Sequence, residues 1–312
     1  LGRVEIAANS DAFTLEIQRG ELVARLAPSA APQRVSLAMV FGATAAVEGP
    51  RLGATPPRPT APKSAAPRWT GEAIATVQLD AVQQNGLVLD RIVTPDDNVW
   101  KRRVRVSDLA FLTNDRAAVL TYDGDVWLVD GFDDPKLAKL SWHRFASGLH
   151  EPMAIAAPKG IIQVWSKNGV VRLHDRDGNG DADWIENFND HMIQSQTSRS
   201  FPLDMGVGPD GSTYVSQGGI VTRSGIASGG EGTSETGGIR KISPDGRKSV
   251  LFASGAREPF VTVNPVTGVV TSSDQQGNYI PSSVSYYVRQ GDNYGFLQDT
   301  PEKLALPLAW IP

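Results

Sequence analysis

The chain has 312 residues, of which 40% are hydrophobic and 21% are charged, so it can bury a core as one large or two ordinary domains. A formal net charge of −4 with no long Lys/Arg stripe gives no indication of a nucleic-acid partner. Without cysteine, the sequence excludes disulfides, thiolate metal sites and a covalently attached c-type haem, and no apolar run is long enough to span a membrane.

The N-terminal part reads as short strands followed by a proline-rich stretch. β-type runs fall at residues 4–7, 13–17, 22–26 and 35–41, and the second alternates apolar and polar side chains. Residues 53–67 then hold five prolines and few large side chains, which favours an extended linker. We predict a strand-rich region at residues 1–68 and a second domain at residues 69–312. We also expect the chain to be a processed form or a piece of a longer protein.

A repeat predicts the architecture of the second domain. The sequence FASGLHEP begins at Phe145 and FASGAREP at Phe252, and Pro202 lies about halfway between the two repeated prolines, Pro152 and Pro259. Each of the three prolines precedes a short β run, a turn and a second β run. A period of about 50 residues built from short strands is typical of propeller blades. We predict an all-β fold, a β-propeller of four or more blades in a partial or complete ring. A β-sandwich with an accidental repeat is the alternative.

Residues 173–186 (LHDRDGNGDADWIE) match the calcium-loop pattern D-x-[DN]-x-[DN]-G-x5-E at every specified position. Calcium takes six to eight oxygen ligands, which alternating acidic residues on a tight loop supply. Lys167-Asn168-Gly169 before it predicts a hairpin, so the loop follows a strand rather than a helix. The alternative is a solvated turn without metal. The predicted ligands are Asp175, Asp177, Asn179, Asp181, Asp183 and Glu186.

Two repeated loops and their neighbours are the candidate site, because propellers bind ligands at the channel mouth. His150, Arg257 and Glu258 are candidate catalytic residues, since a His–carboxylate arrangement transfers protons and arginine holds a carboxylate or hydroxyl. The alternative is that the loop glutamates tie one blade to the next. Candidate substrate-binding residues, which supply polar groups beside aromatic faces, are Glu151, Asp204, Asp274, Gln275 and Tyr294.

Three motifs carry a resemblance to a known family. GAREP at residues 255–259, DQQGNYI at 274–280 and GDNYGF at 291–296 resemble the soluble glucose and sorbosone dehydrogenase propellers, which use pyrroloquinoline quinone with calcium. The likeness is closer to a related family of secreted bacterial propellers that often carry a c-type cytochrome domain. The resemblance implies a periplasmic or secreted oxidoreductase that acts on a sugar or alcohol and passes electrons to a cytochrome.

The sequence departs from those dehydrogenases at the position of the base. They carry a histidine just before the strand that begins near Met205, where this chain has Ser200 and Phe201. Glu258 stands in place of an asparagine, and Ser282-Ser283 in place of an Asp-Glu pair. Two functional classes therefore stay open. One is a quinone-dependent sugar or alcohol oxidoreductase, and the other is a non-catalytic, calcium-stabilised propeller that binds carbohydrate or a protein partner.

Overall fold

The structure is a computed structural model, which describes residues 3–8, 13–18, 21–30, 37–42, 65–84, 86–192, 200–219, 236–276, 282–296 and 304–311. Within these ranges the chain forms 24 strands and a single 3-10 turn at Pro158–Gly160, and no α-helix. None of the described residues forms a helix that would cross a membrane. The predicted all-β fold is confirmed. The chain divides into two compact units, Leu1–Ala61 and Pro62–Pro312.

The N-terminal unit contains two antiparallel strand pairs. The outer pair joins the first and fourth strands, and the second and third strands form a hairpin. These strands are β1 (Arg3–Ala8), β2 (Phe13–Gln18), β3 (Glu21–Leu26) and β4 (Leu37–Gly42). All four strands predicted from the sequence are present. Most of the proline-rich stretch, residues 53–64, lies outside the described residues, and the domain boundary after residue 68 stays a prediction.

Three strands precede the blades of the second unit. The first of them adds to the outer edge of blade 1, and the other two pair as a hairpin. They are β5 (Ala73–Ala75), β6 (Val77–Gln84) and β7 (Leu87–Ile92).

Four antiparallel sheets follow in succession, which confirms the propeller arrangement. Each sheet runs from an inner strand outwards in chain order. Blade 1 consists of β8 (Val106–Phe111), β9 (Arg116–Thr121), β10 (Val126–Asp130) and β11 (Leu140–Ala146). Blade 2 consists of β12 (Ala154–Ala156), β13 (Ile162–Ser166), β14 (Gly169–His174) and β15 (Trp184–Asn189). Blade 3 consists of β16 (Pro202–Val207), β17 (Thr213–Gln217), β18 (Gly238–Ile242) and β19 (Ser249–Ser254). Blade 4 consists of β20 (Phe260–Val263), β21 (Val270–Asp274), β22 (Ser283–Tyr287) and β24 (Ala309–Ile311).

Separate apolar cores join each blade to its neighbour, as expected for sheets that bury their faces only against one another. Trp165 is completely buried between blades 2 and 3, and its indole Nε1 donates a hydrogen bond of 2.9 Å to the Ser216 carbonyl in blade 3. A fully buried indole whose N–H has an acceptor stabilises the packing through the apolar area that it buries and through its hydrogen bond. Trp127 is equally buried in blade 1, on the face that packs against the Trp100 ring.

Each of the inner strands β8, β12, β16 and β20 contacts the next one, and Gly206 lies where β16 faces β20. A Cβ at Gly206 would lie 2.7 Å from a methyl carbon of Val263 in β20 and 3.1 Å from the Val263 amide nitrogen. Only glycine allows this approach of two backbones. The spacing of the inner strands therefore depends on a residue without a side chain.

Blade 3 gains a fifth strand from later in the chain. The short strand β23 (Asp292–Asn293) pairs in parallel with β19, so that Ala253 lies opposite Asp292. The next residue, Tyr294, enters the core between blades 3 and 4, where its ring centroid lies 4.0 Å from that of Tyr286. Tyr294 is only 2% exposed, so this predicted substrate contact packs in the core in the structure.

Candidate binding mouth of the propeller

One hydrogen bond recurs at the same end of three blades. In each case the chain just after the second strand donates an amide N–H to the carbonyl that precedes the inner strand. The pairs are Tyr122 to Arg105 at 2.9 Å, Lys167 to His150 at 3.0 Å and Gly218 to Phe201 at 2.9 Å. These loops, with residues 255–259 before β20 and 275–276 after β21, form what we call the mouth. Residues 220–235, a Gly/Ser-rich stretch that follows Gly218–Gly219, lie outside the described residues.

The two repeated loops share a backbone conformation at the mouth. Gly148 has φ of +88° and Gly255 has φ of +73°, a region that residues with a Cβ rarely adopt. A Cβ at Gly255 would also lie 2.3 Å from the Asn293 side-chain oxygen. The repeat in the sequence therefore reflects a repeated turn, which presents His150-Glu151 in blade 2 and Arg257-Glu258 in blade 4.

Glu151 links the loops of blades 1 and 2. Its carboxylate forms an ion pair with Lys167 of its own blade and a hydrogen bond with the Tyr122 hydroxyl of blade 1. The Lys167 hydrogen bond is the main reason that the pKa of Glu151 lies below its usual value. The Lys167 ammonium in turn lies 5.2 Å from the centre of the Phe201 ring in the loop of blade 3. Glu151 thus has the blade-to-blade contact that the sequence left as its alternative role.

Asp274 positions the loop that carries Arg257. Its carboxylate accepts the backbone N–H groups of Arg257 at 2.9 Å, Glu258 at 2.7 Å and Gln275 at 2.8 Å. Burial is the main reason that the pKa of Asp274 is raised to about 6, against the opposing effect of these hydrogen bonds. Asp274 is 7% exposed, and its contacts in the structure are with the loop that it holds.

Arg257 has one unpaired donor at the mouth. Its Nη1 donates to the Gln276 carbonyl, while its Nε is buried and has no hydrogen-bond partner among the described residues. A buried guanidinium N–H without an acceptor is costly, and an incoming anionic or hydroxyl group would satisfy it. Arg257 therefore stays a candidate binding residue at the mouth.

Two carboxylates lie near the start of inner strands and affect each other electrostatically. Asp204 in β16 accepts the Met205 N–H at 2.8 Å, its only side-chain hydrogen bond within the described part of the chain. Asp108 in β8 accepts the Leu109 N–H and the Ile155 N–H of blade 2, both at 2.8 Å. Burial, followed by repulsion from Asp108, raises the pKa of Asp204 to about 7, and burial raises the pKa of Asp108 as well.

Most of the residues described above were predicted from the sequence to lie at the channel mouth, but Asp108 was not among them. A usable signal is present, since Asp108-Leu109 and Asp204-Met205 occupy the same place in their blades, where each Asp is the third residue of the inner strand. Of the other predicted residues, the side chains of His150 and Gln275 are exposed. Glu258 contributes its backbone N–H to Asp274.

The acidic loop joins β14 to β15, after a strand as predicted, and a preceding segment of the chain lies against it. The Asp177 carboxylate accepts the Ala65 N–H at 2.9 Å, and the Asn179 amide donates to the Ala65 carbonyl at 3.1 Å. The Asp181 carboxylate accepts the Arg68 N–H, and the Arg68 guanidinium donates to the Ala182 carbonyl. The hydrogen bond from Ala65 is the main reason that the pKa of Asp177 is lowered.

The predicted calcium ligands of this loop bond to protein groups in the structure. The Asp175 carboxylate accepts three amides of its own loop, those of Gly178, Asn179 and Gly180. Asp183 bonds to Arg176, and Glu186 lies on β15, where it bonds to His174 at 2.8 Å. Among the described residues, no group of three or more His, Asp or Glu side chains is placed to hold a metal ion. Calcium binding stays a prediction.

Comparisons with known proteins support the fold. No family model matches the sequence, and no curated protein matches it. A solved structure of an oxidoreductase from Thermus thermophilus, described as a glucose dehydrogenase, is 19% identical with a TM-score of 0.50, over 66% of this chain and 70% of that one. The PQQ-bound aldose sugar dehydrogenase from Streptomyces coelicolor is 14% identical with a TM-score of 0.51, over 79% of this chain and 73% of that one. At such identity the likeness shows the propeller fold, which was expected from the sequence resemblance.

Proposed function

We propose that the mouth binds a sugar or polyol and that the protein is an oxidoreductase acting on one of its hydroxyls. The observation that carries this proposal is Asp204, a carboxylate at the mouth whose pKa is raised to about 7. A general base is most effective when its pKa lies near the working pH. Asp204 thus supplies, from the inner strand itself, the base that the resemblance places on a histidine absent from this chain.

The proposal places the carboxylates of a quinone cofactor on Arg257. Pyrroloquinoline quinone carries carboxylates, and the buried Nε of Arg257 is a cationic donor without an acceptor in the described structure. When bound, the quinone would supply the hydride acceptor. Arg257 would hold it, Asp274 would keep the Arg257 loop in place, and Asp204 would take the hydroxyl proton. Electron transfer to a c-type cytochrome and a periplasmic or secreted location belong to the same proposal and rest on the sequence resemblance.

The proposal predicts that pyrroloquinoline quinone raises the melting temperature of the protein. A ligand that binds only the folded state at about 100-fold excess over its Kd stabilises it by roughly 2.7 kcal/mol. Arg257→Ala should remove this shift without lowering the melting temperature of the free protein. Reduction of an artificial electron acceptor with aldoses as substrates measures the activity, and Asp204→Asn should abolish it.

Arg289→Ala is the matched control, because Arg289 is an exposed arginine beyond the opposite end of β22. It should leave the quinone-dependent shift unchanged. A shift with calcium alone, lost in the Asp175→Ala/Asp177→Ala variant, would instead favour the non-catalytic, calcium-stabilised propeller. If neither quinone nor calcium changes the melting temperature, both cofactor proposals are wrong.

A further inference from the structure

A cavity of about 520 Å³ lies on the outer side of blade 1, away from the mouth. One wall is the segment of residues 67–72 that precedes β5, with Trp69 and Glu72. The second wall is formed by blade 1, with His143 and Arg144 on β11, and the third is the acidic loop, with Asn179 and Asp181. Its volume falls within the range of about 300–1,000 Å³ that is usual for small-molecule sites. We propose that this cavity is a second binding site, for a neutral sugar of one or two rings.

The wall that carries Trp69 is held in place by contacts within the protein. The hydrogen bonds from Arg68 to Asp181 and Ala182 fix the residue just before Trp69. Guanidinium carbons of Arg68 and Arg144 lie 4.8 Å and 4.7 Å from the centre of the indole ring. An aromatic ring that is already held in place costs little entropy when a ligand binds. The acidic loop thus has a positioning role in this site.

The charges around the cavity are compensated within the protein. Arg144 is paired with Asp125 at 2.8 Å, and Arg68 lies next to Asp181. Glu72 lies 3.9 Å from both Lys139 and His143. A charged ligand would have to compete with these pairs, whereas a neutral ligand leaves them intact. The charge balance therefore favours an uncharged ligand over a phosphate or an ammonium group.

The remaining polar groups suit hydroxyls in particular. Each hydroxyl both donates and accepts a hydrogen bond, so a sugar needs donors and acceptors in one cavity. Glu72 offers a carboxylate acceptor and the His143 imidazole both a donor and an acceptor, next to the indole of Trp69. The Asn179 amide donates to Ala65 and the Arg144 Nη2 donates to Asp125, so these two side chains are held in place as walls. The side chains of Glu72 and His143 are 44% and 45% exposed, which leaves them accessible to a ligand. This combination of one aromatic ring and several fixed polar groups matches a sugar ring.

Binding is tested with the purified protein and a panel of glucose, xylose, galactose, maltose and cellobiose, by saturation-transfer NMR and calorimetry. We expect at least one of these sugars to bind. Trp69→Ala should lower its affinity about tenfold, in line with the loss of one aromatic contact and the area that it buries. Glu72→Gln keeps the shape of the side chain and its bond to Ser141, and should weaken binding by a smaller factor.

Trp184→Ala is the control, since Trp184 is exposed on β15 and stacks on His174 outside the cavity. It should leave the affinity unchanged, and thermal melts show that each variant is folded. Binding that is lost in Arg257→Ala but kept in Trp69→Ala and Glu72→Gln places the sugar at the mouth and overturns this inference, while supporting the proposed function. Absence of binding by every sugar of the panel also overturns it.

Discussion

Replacing Asp125 with alanine is expected to lower the free energy of unfolding by about 3–5 kcal/mol, because it leaves buried positive charge without a partner. The Asp125 carboxylate is fully buried in blade 1. One of its oxygens accepts the Arg102 Nε at 2.7 Å and the other accepts an Arg144 Nη2 at 2.8 Å. Chemical denaturation in urea, followed by circular dichroism, measures the change.

Asp130→Ala, at the last residue of the strand β10 that follows Asp125, is the matched control. Asp130 pairs with Arg116 on the neighbouring strand, but 23% and 47% of these side chains are exposed. Exposed pairs contribute about 0–1 kcal/mol, so this variant should be nearly neutral. Equal effects of the two substitutions would show that the buried ion pairs of Asp125 contribute no more to stability than an exposed pair. Because Arg144 also contacts Trp69, Asp125→Ala should weaken sugar binding at the outer cavity as well.

Replacing Asp204 with asparagine is expected to stabilise the protein at pH 8 while it abolishes the proposed activity. The pKa of Asp204 is about 7 in the folded protein, above the usual value of 3.8. Between pH 3.8 and pH 7, Asp204 is therefore protonated in the folded state and ionised in the unfolded state. The contribution of protonated Asp204 to stability is complete below pH 4 and disappears as the pH rises through 7. Asparagine does not ionise, and it still accepts the Met205 N–H.

Melting curves between pH 5 and pH 8 test this prediction. The free energy of unfolding should fall with rising pH more steeply in the parent protein than in Asp204→Asn, with a difference on the order of 2–4 kcal/mol at pH 8. Both proteins retain the smaller fall that Asp274 causes, since its pKa is about 6. Asp210→Asn is the control, because hydrogen bonds lower the pKa of the exposed Asp210 and the effect on stability has the opposite sign. Parallel curves for the parent protein and Asp204→Asn would show that Asp204 is not a neutral-pH base.

The blades could be predicted because the information that specifies them is local. The repeated glycines, Gly148 and Gly255, occupy a left-handed turn in each copy, and that requirement keeps the repeat visible in the sequence. Asn168-Gly169 likewise forms the predicted hairpin between β13 and β14, where Ser166 lies opposite Gly169. Alternation and turn residues act over a few positions, so a single sequence contains them.

The use of the acidic loop could not be predicted, because it depends on contacts over long distances in the sequence. Its spacing matches a calcium loop, yet Asp177 and Asp181 accept amides from Ala65 and Arg68, more than 100 residues earlier in the chain. No pattern within the loop indicates that amides of residues 65–68 will donate hydrogen bonds to these carboxylates. Tyr294 is a similar case, since the sequence makes it a candidate substrate-binding residue, whereas the pairing of β23 with β19 brings it into the core.

The fifth strand of blade 3 also affects the order in which the molecule can be assembled during synthesis. β19 ends at Ser254, but its parallel partner β23 begins at Asp292, after three strands of the next blade have been made. Until then the edge of β19 offers unpaired amides and carbonyls to any extended peptide nearby. Blade 1 has the reverse arrangement, because its edge strand β5 is synthesised first and pairs later with β11. In a nascent chain that stops between Ser254 and Asp292, the end of β19 at Ala253 and Ser254 therefore has no partner strand, and pairing these two residues requires synthesis to continue past the third strand of blade 4.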